Sequence, residues 1–278
     1  MTSKVAIVEF DEDVQGSFKQ ALKLIGEIDD LNSVKRSVVI KPGIFDHRKK
    51  GHPTVNVVKA IIRCFNNAPQ IFLAESDNYK GTGSERLQIY REVFSERVVP
   101  FNLSDDMNIK EVSVADEKMG FSHILFKPNV FVSTHTLRRY DKGTILKNLL
   151  GLIPDRKKVR FHKKLETTLL DAYEAIGGID LAVLDGTYTY SVPTKDEGIG
   201  TNVLLVGRDA IAVEAVGAVL VGLNPEKMPV IQEAVKRGYG EGDVKRIEVL
   251  GSSIESLKDK FCSCKPKHRK PREEEQEV

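Results

Sequence analysis

The sequence predicts an α/β fold, a mostly parallel sheet flanked by helices, in one large domain or two closely joined lobes. Short β-branched runs alternate with segments whose apolar residues recur every three or four positions, which is how strands joined by crossover helices read. The chain has 278 residues, 41% of them hydrophobic and none tryptophan, so a core of Val, Ile and Leu near the upper size for one domain is expected. No period of 20 to 50 residues repeats, which excludes a solenoid. The expected organisation is an α/β domain over 1–258 and a charged, disordered tail over 259–278.

The elements follow in order. Val5 to Phe10 reads as a first strand, and Val14, Phe18, Ala21, Leu22 and Ile25 share one helical face. Val38-Val39-Ile40 is a buried strand. His52-Pro53-Thr54 starts a helix whose stripe is Val58, Ile61, Ile62 and Phe65, because proline fits a first turn. Ile71 to Ala74 is the next strand. Leu87 to Phe94 suggests a helix, and Val98 to Leu103 and Ile109 to Val114 suggest strands of open order. Val130 to Ser133 reads as a short strand. A helix from about Lys164 to Ile176 ends at Gly177-Gly178, where glycine can take the left-handed cap. Leu181 to Leu184 and Val203 to Val206 are strands, Asp209 begins the helix Ala210 to Val221, and a helix near Met228 to Arg237 precedes a strand at Ile247 to Leu250.

Composition excludes several classes. Forty-two Lys and Arg against 40 Asp and Glu leave a formal charge of +2, too little for nucleic-acid binding by net charge alone. The three cysteines, Cys64, Cys262 and Cys264, cannot form a disulfide framework, which points to a reducing, cytoplasmic setting. Cys262-Ser263-Cys264 beside His268 is too closely spaced for a zinc knuckle and reads as an incidental thiol pair. No run of about 18 apolar residues marks a membrane span. Neither GxxxxGK[ST] nor GxGxxG follows the first strand, which argues against ordinary ATP and dinucleotide sites.

Ligands of parallel sheets gather outside the carboxyl ends of the strands. The apolar runs here exit into Lys41-Pro42-Gly43, Glu75-Ser76-Asp77, Thr134-His135, Asp185-Gly186 and Gly207-Arg208-Asp209. Lys41, abutting a β-branched strand, is either a partly desolvated anion contact or a snorkelling edge lysine. Within THTLRRYDKGTILKNLLGLIPDRKKVRFHKK lie His135, Lys147, Asn148 and His162. Leucine and isoleucine around Lys147 would depress its pKa and suit it to act as nucleophile or base. His135 and His162 could shuttle protons or bind a metal. Six Lys or Arg between Arg156 and Lys164 suit phosphate or carboxylate recognition, or form a solvated face. Asp209 could cap its helix, and Glu214, inside an apolar run, needs a partner such as Lys147 or Lys41.

The chain resembles the domain of unknown function 362 family from about Val38 to Gly251. The likeness rests on Val39-Ile40-Lys41-Pro42, on TILKNLLGLIP (Thr144 to Pro154) with the following His162, on LAVLDG (Leu181 to Gly186) and on NVLLVGRDAIAVEAVGAVLVG. Family members commonly have asparagine at the place of Gly43 and aspartate at that of Glu214, and many carry a ferredoxin-like cysteine cluster. That cluster is missing here, so an iron-sulfur centre is not expected. A more remote pattern is similar to the nickel-pincer lactate racemase, in which a lysine tethers the cofactor and a histidine about fifteen residues later meets the metal. Lys147 and His162 have that spacing, and His135 falls where an acid/base histidine would lie.

Two readings result. In the first, an enzyme of isomerase or proton-transfer type uses Lys147, His135 and His162 as catalytic residues on a small anionic substrate, with a metal ion or phosphorylated cofactor. Lys41, Glu75, Asp77, Asn148, Asp185, Asp209 and Glu214 would line its ligand site. In the second, the basic segment and tail bind RNA or another polyanion without catalysis. Phe161 is the only aromatic residue between Arg156 and Lys164, which disfavours base stacking.

Overall fold

The computed structural model of the chain describes residues 2–191 and 198–262. In chain order the regular elements are β1 (Lys4–Glu9), α1 (Val14–Ile25), β2 (Val38–Pro42), α2 (Val55–Cys64), β3 (Ile71–Glu75), α3 (Gly83–Leu87) and β4 (Val98–Asn102). They continue with β5 (Ile109–Val114), β6 (Glu117–Ser122), β7 (Val130–Arg138), α4 (Leu165–Ala175), β8 (Leu181–Tyr190) and β9 (Ile199–Gly207). The last are α5 (Ala210–Leu220), α6 (Pro229–Lys236), β10 (Glu248–Gly251) and α7 (Lys258–Cys262).

Eight strands form one sheet in the order β10-β1-β9-β8-β7-β2-β3-β4, and β5 and β6 form a separate antiparallel ribbon. Within the large sheet only β9 runs antiparallel to its neighbours, β1 and β8. The α/β fold expected from the alternating pattern is the one observed. Both faces of the sheet are covered, which explains why its strands read as unbroken apolar runs rather than alternating ones. On one face Ala6, Ile40, Leu73 and Val132 pack against α1 and α2. On the other, Val39, Phe131, Leu184 and Leu205 meet α4, α5 and α6.

Local chemistry sets the helix ends. Asp13 caps α1 through the Gly16 N–H, and Thr54, one residue after Pro53, caps α2 through the Val57 N–H. Helix α4 ends as expected, with Gly177 and Gly178 at positive φ. The segment expected to be helical over Leu87 to Phe94 is instead the end of the short α3 followed by a 3₁₀ turn.

Two strands outrun their apolar cores. β7 continues through Thr134-His135-Thr136-Leu137 to Arg138, and β8 continues past Asp185 to Tyr190. His135 and Asp185 therefore stand within strands and not in the loops after them. The expected tail boundary also moves: α7 includes residues 259–262, and Phe261 is buried in the core. Cys264 and His268 lie outside the described residues. Among the described residues no helix is long and apolar enough to cross a membrane.

Candidate functional site

The carboxyl ends of β2, β3, β7 and β8 share one edge of the sheet, because these strands are parallel. β9 is reversed, so its exit lies at the opposite edge. There Asp209 caps α5 through the Ile211 and Ala212 N–H groups and accepts from Ser3 Oγ at 2.5 Å. Asp209 is therefore a capping residue remote from the other strand exits, a correction that follows from the strand reversal.

Beneath the shared edge lies a buried polar network. Lys41, only 1% exposed, pairs with Glu75, donates to Asn148 Oδ1 at 3.1 Å and packs under Gly151, where a Cβ would come within 2.7 Å of its amine. Glu75 also receives Arg86 Nη2 at 2.7 Å. Burial works to raise the Glu75 pKa, but Arg86 and Lys41 outweigh it and hold the carboxyl below its ordinary value. Asn148 Nδ2 donates to the Lys41 carbonyl at 2.8 Å and to Ser133 Oγ at 3.1 Å, tying the turn Lys147–Leu152 to β2 and β7. Lys41 is neither an edge lysine nor open to a ligand, since its amine is enclosed by these partners.

Glu214 reaches from α5 to the same turn. Its carboxylate accepts from the Thr144 N–H at 2.8 Å and the Leu146 N–H at 2.9 Å, and burial raises its pKa. Its partners are backbone amides in place of the expected lysines. Asp185 likewise serves neighbours: it accepts from the Thr54 N–H at 2.6 Å and Thr187 Oγ1 at 2.6 Å. Asp77 accepts from Gly83 N–H and Asn102 Nδ2, and its carbonyl receives Lys158 Nζ.

His135 and Arg138 occupy the extended part of β7. Arg138 Nη2 lies 2.8 Å from the Gly51 carbonyl and 3.1 Å from His135 Nδ1. Two neighbours make opposite demands on Nδ1: the guanidinium only donates and would have it accept, which puts the imidazole proton on Nε2, whereas the Thr136 carbonyl, 3.0 Å away, only accepts and would have it donate. Burial first, with help from Arg138, pushes the His135 pKa well below its ordinary value, so the ring is neutral at pH 7. Gly43 makes room for it: a Cβ there would lie 2.0 Å from His135 Cδ2.

Arg138 itself is 8% exposed and pairs with no carboxylate among the described residues. Its Nε is buried without a partner, and burial lowers its pKa to about 10, which still leaves it charged. Such a cation is expensive unless something anionic meets it. Arg138 lines a cavity of about 150 Å³ at the carboxyl edge, together with residues of the segment after β2 and the turn after β3. The apolar run Val130 to Ser133 does not reveal it, because β7 continues past that run to Arg138. The alternation Thr134, Thr136, Arg138 was the available signal.

Lys147 Nζ lies 3.4 Å from His162 Nε2 on the adjoining 3₁₀ turns. Burial and Lys142 lower the Lys147 pKa to about 8, and burial with Lys147 lowers that of His162. His135 belongs to a different cluster. Among the described residues no three His, Cys, Asp or Glu side chains gather to hold a metal, so a single imidazole beside an amine suits a metal only where a cofactor supplies most of the ligands.

The basic run is folded back on acids. Arg160 pairs with Asp155 and Glu117, Lys164 with Asp116, and Arg156 approaches Asp77 at 3.8 Å. This neutralises much of the surface expected to attract a polyanion.

A mostly parallel α/β sheet with a cationic cavity at its carboxyl edge defines the class. The chain belongs to the family described as domain of unknown function (DUF362), whose profile matches residues 38–219. Among solved structures it is similar to the lactate racemase apoprotein from Thermoanaerobacterium thermosaccharolyticum, at 12% identity and a TM-score of 0.48. The match covers 78% of this chain and 56% of that one, so the chain spans little more than half the length of that protein. No curated protein matches the chain.

Proposed function

We propose that the protein is an enzyme of isomerase or proton-transfer type acting on a small anionic substrate at the carboxyl edge of its parallel strands. The observation that carries this reading is the buried guanidinium of Arg138, which has no carboxylate partner among the described residues, beside a neutral imidazole. Arg138 receives the substrate's anionic group. In the tautomer that accepts the Arg138 N–H at Nδ1, His135 offers its Nε2–H to the oxygen on which charge develops as a proton leaves the adjacent carbon, a role that a neutral imidazole performs well. A substrate that reaches from Arg138 to the separate Lys147–His162 cluster brings its C–H to the Lys147 amine, which is partly unprotonated at neutral pH and takes that proton and returns it.

The test is hydrogen exchange in D2O. Small acids bearing a C–H next to a carbonyl or carboxylate are incubated with the protein, and deuterium uptake is followed by proton NMR. Uptake that disappears in His135→Gln and Lys147→Ala, with both variants folded by circular dichroism, is expected. Binding without exchange for every acid would leave a binding protein and overturn the enzymatic reading.

A further inference from the structure

The cavity has a second character besides charge. Lys50, Lys80 and Arg138 line it, and Asp46, its one carboxylate among the described residues, is held by Arg48 through bonds of 2.8 and 3.1 Å. The walls therefore present an excess of positive charge larger than a single carboxylate would balance. At the mouth stand Phe45 and Tyr79, 44% and 67% exposed, with ring centroids 5.6 Å apart in an edge-to-face pair. Two exposed aromatic rings beside a cationic hollow are unusual on a protein surface unless a ligand covers them.

We infer that this cavity is a subsite for a phosphate monoester whose attached group is a flat, unsaturated ring. The phosphate enters between Arg138, Lys50 and Lys80, with Arg138 Nη1, which donates to no acceptor among the described residues, as its innermost contact. The cavity is smaller than the range of roughly 300–1,000 Å³ usual for whole ligands, so the ring remains at the mouth against Phe45 and Tyr79. A phosphate monoester carries close to two negative charges at neutral pH, which suits three cations better than a carboxylate does. With Nη2 given to the Gly51 carbonyl and His135, Nη1 still has two N–H groups for phosphate oxygens. This inference rests on Arg138 being the anion contact of the proposed function, but on none of its proton chemistry.

Isothermal titration with phenyl phosphate, inorganic phosphate, benzoate and phenol tests it. Phenyl phosphate is expected to bind at least about tenfold more tightly than inorganic phosphate or benzoate, a difference of about 1.4 kcal/mol, and phenol not at all. Arg138→Met should abolish binding of both phosphates. Tyr79→Ala, at an exposed position, should leave inorganic phosphate unchanged and remove the advantage of the ring. Equal affinity for phenyl phosphate and inorganic phosphate would overturn the aromatic part, and benzoate binding as well as phenyl phosphate would overturn the phosphate part. Tight phosphate binding in a protein that exchanges no C–H proton would sustain this inference and defeat only the proposed enzymatic activity.

Discussion

Arg138 Nη2 stands 3.1 Å from His135 Nδ1, and its charge works together with burial to keep the imidazole neutral. The arginine cannot accept a proton from the ring, and its positive charge opposes a second proton on it. A histidine commonly read as a base is thereby held neutral.

The pH dependence follows from this arrangement. In the unfolded chain the imidazole gains a proton near about pH 6.5, but in the folded protein it does so only well below that. The unfolded state thus binds more protons as pH falls below about 6.5, and folding stability is lost in that direction. His52, whose pKa is also lowered by burial, adds to the same slope. His135→Gln should flatten the acid limb of the stability profile in urea titrations. The His135 ring resonance should not titrate between about pH 6 and 8, and a midpoint inside that window would contradict the assigned contact.

Gly43→Ala should displace His135, since the added methyl would lie 2.0 Å from Cδ2 and 2.5 Å from Nε2. A loss of about 1–3 kcal/mol is expected from the overpacking, measured by denaturant unfolding. Exchange activity should fall further than stability accounts for. The double variant Gly43→Ala, His135→Ala should be no less stable than His135→Ala alone if the two residues share this space.

Much of the fold was legible in the sequence, because strands covered on both faces write themselves as apolar runs such as Val38-Val39-Ile40. What could not be read was strand direction. The run Val203 to Val206 looks like any parallel strand, yet β9 is reversed, and this sends Asp209 to the far edge. The site was legible in residue type more than in role. Lys41 and Glu75 do meet, but as a sealed ion pair that Arg86 completes from 11 residues beyond Glu75. Arg138 was hidden by the assumption that a polar residue after an apolar run ends the strand.

Glu75 is the hub of the buried network. Glu75→Gln leaves Lys41 and Arg86 without a countercharge and should cost roughly 3–5 kcal/mol. Lys41→Met still leaves Glu75 paired with Arg86 and should cost less. Equal losses for the two variants in urea unfolding would show that Glu75 does not bridge the two cations.

The lowered pKa of Lys147 is measurable by labelling. Reductive methylation read by peptide mass spectrometry should reach half its maximal rate near pH 8, the pKa to which burial and Lys142 bring this amine, whereas unperturbed lysines ionise near about pH 10.4. A midpoint like that of exposed lysines would remove Lys147 as a base at neutral pH. His162→Ala should raise its reactivity by clearing the side chain 3.4 Å away.

The hold of Glu214 on the Thr144 N–H joins residues 70 positions apart. During synthesis the turn that carries Lys147 emerges well before the helix that supplies its anchor. Local propensity alone cannot complete it, because closing so long a loop must wait for α5 to dock against the sheet. The order of assembly is thereby built in: the scaffold of β2, β3 and β7 can form first, and the segment bearing the reactive lysine is secured only once most of the chain has been made.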